Sequence, residues 1–101
     1  MKFFEALFGK KVDLKEVIEK GAVIVDVRTK GEFQGGHLRG SINIPVDNLQ
    51  NNLKKLNKNK PVITCCASGA RSASAKSILK SNGFEEVYNG GSWQSLRKYI
   101  Q

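Results

Sequence analysis

Residues 62–74 read VITCCASGARSAS. An apolar, β-branched run reaches two adjacent cysteines and then gives way to small residues and one arginine. With Pro61 at the first position, where proline is tolerated, PVITC (61–65) reads as a short strand covered on both faces. The following residues read as a tight turn. From about Ala70 to Asn82 the spacing predicts a helix, because Ala75, Ile78, Leu79 and Asn82 fall on one stripe and Gly83 ends it.

The same alternation extends outward in both directions. Upstream, DLKEVIEKG (13–21) carries a capping-box pattern at Asp13 and Glu16, and Gly21 suits a helix end. AVIVDVR (22–28) is a second continuous apolar run. Thr29 and Glu32 make another capping pattern, opening a short helix that Gly35 and Gly36 stop. SINIP (41–45) is a brief extended piece, after which Leu49, Leu53 and Leu56 share one helix face. Downstream, EEVYN (85–89) is the next strand. After the glycines at 90 and 91, Trp93, Leu96 and Ile100 define a last amphipathic helix. FFEALF (3–8) pairs apolar residues at helical spacing and reads as a short helix within an N-terminal segment, residues 1–12. Strands alternating with helices imply an α/β fold with mainly parallel strands and right-handed crossovers. Such sheets carry their sites at the carboxyl ends of the strands, and residues 66–71 lie at such an end.

Composition bounds the function. At 101 residues, with 40% hydrophobic and 26% charged residues, the chain fits one soluble domain, 1–101, able to build a core without staples. No segment approaches the roughly 20 apolar residues of a membrane-spanning helix, and the start lacks a signal-peptide cleavage pattern. A cytoplasmic protein is expected. The net charge of +8 suits an acidic partner, but its lysines are scattered and no nucleic-acid-binding motif accompanies them. A solvated basic surface is the favoured reading, with neither nucleic acid nor membrane as a partner. Cys65 and Cys66 are neighbours, which rules out a long-range disulfide framework, and with one histidine they do not make a zinc set. No metal is expected. A reactive thiol in a reducing compartment, or a pair of small buried hydrophobes, remains.

CASGAR (66–71) favours the thiol. Its small side chains let the backbone curl, and Gly69 permits positive φ. Inward-facing N–H groups and a helix N-terminus then stabilise an anion, so Cys66 should ionise readily and act as a nucleophile. No general base is evident, since His37 lies far away in sequence. Transfer of a sulfur atom fits: the thiolate takes a donor's outer sulfur as a persulfide, whose terminal anion sits in the ring of amides.

These residues resemble the rhodanese family in its single-domain form. VDVRTKGEFQGGHLRGSINIP (25–45) resembles its N-terminal signature, with Asp26, Arg28, Glu32, Phe33, His37, Gly40, Asn43 and Pro45 in order; CASGARS (66–72) resembles its active-site loop; and VYNGGSW (87–93) resembles its closing segment. The resemblance implies a three-layer rhodanese-like sandwich, a central mainly parallel sheet flanked by helices. It also implies sulfurtransferase activity through a Cys66 persulfide, from a donor such as thiosulfate to cyanide or a thiol, without metal or organic cofactor. Ala67 and Ala70 stand where many relatives carry larger or basic residues.

The loop Ala67, Ser68, Gly69, Ala70 and Arg71 would bind donor and persulfide. Ser68 either donates its hydroxyl to the sulfur or merely turns the chain. Arg71 either binds the anionic donor or braces the loop against Glu32 or Asp26; bracing is favoured, because a residue opening a helix points away from the cradle. Asp26, Arg28, Glu32 and His37 read as structural support, with Arg28 reaching a carboxylate such as Glu32. Cys65 reads as strand core, and Trp93 as core or site rim. Two other classes compete. A cysteine phosphatase or arsenate reductase typically places five residues between cysteine and arginine, whereas four stand here. A non-catalytic rhodanese-like binding module typically loses the cysteine.

Overall fold

A computed structural model describes residues 12–100; the helix expected at 3–8 lies outside them. Among these residues four strands form one all-parallel sheet: β1 (Val23–Asp26), β2 (Ile42–Asn43), β3 (Val62–Cys66) and β4 (Val87–Ser92), in the order β2-β1-β3-β4. The helices are α1 (Leu14–Glu19), α2 (Lys30–Gln34), α3 (Val46–Leu49) and α4 (Ala70–Ser81), with 3-10 segments at Gln50–Lys55 and Trp93–Tyr99.

Two apolar layers sandwich the sheet, because successive strand side chains point to opposite faces. Val25, Val62 and Val87 pack with Leu49, Ala75, Leu79 and Phe84 on one face. Ile24 and Ile63 pack with Val17, Leu38 and Leu96 on the other. Both faces are covered, which explains why β1 and β3 are mostly apolar along their length rather than alternating. The result is the expected α/β sandwich with a parallel central sheet.

Local geometry departs from the sequence reading in four places. Leu49, Leu53 and Leu56 do share the first core, but not through one α-helix. The chain leaves helical φ/ψ at Asn52 (φ −127°, ψ 21°) and continues as 3-10 turns. The polar pair Asn51–Asn52 has low helix propensity, and burial of the leucines decides their placement instead. The final segment is likewise 3-10 rather than α. At the first helix Asp13 caps through the Lys15 N–H at 3.0 Å, without the reciprocal bond that a capping box requires.

The fourth departure shapes the site. β4 does not stop at Asn89 but runs through both glycines to Ser92. Thr64 pairs with Asn89 and Cys66 with Ser92, so Gly90 and Gly91 together oppose Cys65 in a bulge. Gly90 is approached so closely that an added Cβ would sit 2.8 Å from Ile63 Cγ2, 2.9 Å from the Thr64 carbonyl oxygen and 3.0 Å from Leu96 Cδ1. Gly90→Ala should therefore cost about 1–3 kcal/mol or more, read as a lower denaturation midpoint. A midpoint equal to wild type would show that the strand pair yields freely here.

Candidate active site

Cys66 is the last residue of β3, one position beyond the strand end expected from sequence. Strand alternation sends Cys65 into the core on one face and Cys66 to the other, beneath the loop that leads into α4. Gly69 adopts φ +111°, and this turn brings its N–H to 2.9 Å from Cys66 Sγ. Gly69 is also the N-cap of α4 and has no side chain to offer the helix. The Ser72 N–H, two residues into the helix proper, donates instead to Sγ at 3.4 Å. The sulfur thus takes the place of a capping oxygen, at the positive end of the helix.

The Ser72 hydroxyl completes the shell, 3.4 Å from Sγ. Burial alone would push the Cys66 thiol up. The Ser72 hydroxyl and the N–H groups of Ser72, Gly69 and Ser68 outweigh burial and bring the thiol down from 9.0 to about 7. Cys65 behaves oppositely: burial, reinforced by Asp26, pushes it up to about 12. Thiolate absorbance should therefore rise with pH around a midpoint near 7, because a lowered value means the charged form appears at lower pH. A Cys66→Ser control should lack that step. A midpoint at 8.5 or above, the range of an ordinary thiol, would deny the cradle its effect.

Arg71 turns outward to Glu32, with Nη1 to Oε1 at 2.7 Å and Nη2 to Oε2 at 3.1 Å. Glu32 closes a full capping box with Thr29 as well, so one carboxylate fixes the start of α2 and ties it to the loop. The hydrogen bond from Arg71, then those from Thr29, hold Glu32 down at about 2. Arg28 does not pair with the Glu32 carboxylate, as the sequence suggested. Its partner is Asp26, at 2.7 Å, because both side chains leave the end of β1 on the same side. Arg28 also donates to the Gly36 carbonyl at 2.7 Å and lies over the Trp93 ring at 4.6 Å.

His37 takes no part at the sulfur. Its Nδ1 is 2.8 Å from the Phe33 carbonyl, its ring stacks on Phe33, and it lines a separate cavity of about 510 Å³ with Arg39, Arg97 and Lys98. Ala67, Ser68 and Ala70 are exposed on the loop, and the hydroxyl beside the sulfur belongs to Ser72, not Ser68. The sequence reading gave Ser72 no role. Its signal lay in register: three residues after a glycine N-cap, a side chain leans back over the helix start.

Cys66 itself is only 1% exposed. The device is a narrow, amide-lined seat for one sulfur anion, without a histidine or carboxylate touching it among the described residues.

Residues 11–97 match the family model described as a rhodanese-like domain. "Uncharacterized protein YqhL" of Bacillus subtilis is 40% identical over 68 residues, covering 67% of this chain and 54% of that protein. "Thiosulfate sulfurtransferase GlpE" of Pseudomonas fluorescens is 35% identical over 71 residues, covering 70% of this chain and 65% of that protein. The chain thus spans about half to two thirds of the length of these curated relatives. The crystal structure of a rhodanese-related protein from Thermoplasma volcanium superposes with a TM-score of 0.73 at 36% identity, covering 85% of each chain. Among the described residues, no helix is long and apolar enough to cross a membrane.

Proposed function

This chain belongs to the rhodanese-like domain family, and from that premise we propose that it is a sulfurtransferase working through a persulfide on Cys66. The Cys66 thiolate attacks the outer sulfur of a donor such as thiosulfate. The donor's S–S bond breaks, sulfite leaves with the electron pair, and Cys66 carries the sulfane sulfur. A thiophilic acceptor, cyanide or a thiolate, then attacks that outer sulfur. The persulfide bond breaks and the Cys66 thiolate returns. Two half-reactions of this kind give ping-pong kinetics. The chemistry calls for no metal or organic cofactor, and a reducing cytoplasmic setting suits two free thiols.

One observation carries the reading. Sγ is surrounded by N–H groups and a hydroxyl, with no acid or base among the described residues poised for hydrolysis. The outer sulfur of a persulfide is anionic near neutral pH, and a ring of donors stabilises charge where it develops. The short loop and the low exposure of Cys66 also suit a single sulfur atom better than a tetrahedral phosphate. The name of the Pseudomonas relative lends support to thiosulfate as donor.

The test is intact mass after incubation with thiosulfate, and separately with an alkyl persulfide. The expected result is a gain of one sulfur, removed again by cyanide. No gain from either donor would overturn the assignment. So would aryl phosphate hydrolysis that Cys66→Ser abolishes.

A further inference from the structure

The buried hydroxyl of Ser72 has one proton and three acceptors within reach. Asn89 Oδ1 lies at 2.6 Å, the Gly69 carbonyl at 3.0 Å and Cys66 Sγ at 3.4 Å. The two oxygens have other donors. The Gly69 carbonyl receives the Ala73 N–H at 3.0 Å and Asn89 Nδ2 at 3.2 Å, and Asn89 Oδ1 receives the Gly91 N–H at 2.9 Å. Neither is left unpaired if Ser72 turns to the sulfur, so its rotation escapes the usual penalty for orphaning a polar group. These bonds also fix the amide. A flipped Asn89 would set its NH2 against the Gly91 N–H and its oxygen against the Gly69 carbonyl.

We propose that Asn89 is a positioning residue for Cys66: its side-chain oxygen holds the Ser72 proton while the sulfur is a thiol and yields it when the sulfur ionises. In the thiol state Cys66 donates to Ser72 Oγ, and Ser72 donates to Asn89. On ionisation the Cys66 proton leaves to water. The Ser72 hydroxyl only rotates, turning its proton to the thiolate while Gly91 keeps Asn89 paired. The β4 bulge makes this possible, since it presents the Gly91 N–H to the side chain two residues earlier. Within the sulfur-transfer reading, on which this step rests, a persulfide leaves Sγ neutral and the hydroxyl returns to Asn89. The switch then turns once in each half-reaction.

Other charges near the site are accounted for. Arg71 on α4 acts on Cys66 from its pairing with Glu32, and Cys65 lies beside it on β3. On β1, Asp26 and Arg28 pair with each other. On β4, Tyr88 packs in the opposite layer and bonds Glu86. Lys76 of α4 shares with Asn89 an open cavity of about 280 Å³.

The test is the thiolate absorbance titration in wild type, Asn89→Asp, Ser72→Ala and the double variant. The double variant separates the hydroxyl's role from the plain Coulombic effect of a new carboxylate, which salt screens poorly at a buried sulfur and which would persist without the Ser72 hydroxyl. Asn89 is exposed, so its substitution spares the core. A carboxylate would grip the Ser72 proton more tightly than the amide does. Asn89→Asp should therefore raise the midpoint by about one pH unit, a tenfold loss of thiolate at fixed lower pH. Ser72→Ala should raise it similarly, and the double variant no further. An unmoved midpoint in Asn89→Asp, or additive shifts in the double, would overturn the proposal. Should Ser72→Ala not fold, Asn89→Ala decides without adding a charge: losing the acceptor of the Ser72 proton should lower the midpoint, and a raised or unmoved one overturns the proposal. Sulfur loading, measured separately by mass, keeps the two readings apart. Loading with an unmoved Asn89→Asp midpoint sinks only the switch; a shifted midpoint without loading sinks only the transferase.

Discussion

Replacing Cys66 with serine should abolish sulfur transfer from thiosulfate to cyanide, a loss of roughly a thousandfold or more, while Cys65→Ala stays within a few-fold of wild type. The contrast follows from one alternation of β3. Cys66 faces the amide ring and ionises near neutral pH. Cys65, on the opposite face, is 0% exposed among Ile24, Ile63 and Leu96, and burial keeps it protonated. A hydroxyl at 66 fits the same space, but it is far more basic than a thiol and a poor nucleophile toward sulfur. Cys65→Ala should show its effect in stability instead, costing about 1 kcal/mol for the lost buried atom. Steady-state rates and intact mass, measured together, decide between these positions. Turnover surviving in Cys66→Ser, or an equal loss in Cys65→Ala, would remove the assignment of the nucleophile.

Much of this could be read before any coordinates. Apolar runs within 22–28 and 61–65 marked strands covered on both sides, and two such layers exist. The Thr29–Glu32 pair reads as a cap because its bonds span three residues, and local bonds are visible to local patterns. Small residues after Cys66 announced a tight loop for the same reason. What escaped was set by partners far away in the chain. Nothing near residue 89 says that β4 lies beside β3, so the bulge and the Asn89–Ser72 bond were invisible. The Leu49, Leu53 and Leu56 spacing reported burial correctly but not helix type, since 3-10 turns can bury the same side chains. By sequence Arg28 was expected to reach a carboxylate such as Glu32, and Arg71 to brace against Glu32 or Asp26. Only the chain path at the end of β1 selects Asp26 and leaves Glu32 to Arg71.

That selection makes Arg28 the residue whose loss should most damage the fold. Asp26 is 0% exposed, and its oxygens receive Arg28 Nε at 2.9 Å and Nη2 at 2.7 Å. The same guanidinium reaches the Gly36 carbonyl and covers Trp93, tying β1, the end of α2 and the last segment together. Arg28→Met keeps much of the apolar stem but strands a carboxylate in the interior. Breaking one side of such a pair costs about 3–5 kcal/mol, against a total of roughly 5–15 kcal/mol for a domain. The denaturation midpoint should therefore fall steeply with little change in slope. Asp26→Asn in the Arg28→Met background removes the stranded charge while keeping an oxygen for the Arg28 backbone N–H, which lies 3.0 Å from Asp26 Oδ1. The double variant should then be more stable than Arg28→Met alone. If the two losses simply add, the ion pair is not what Arg28 supplies, and its packing on Trp93 must carry the effect.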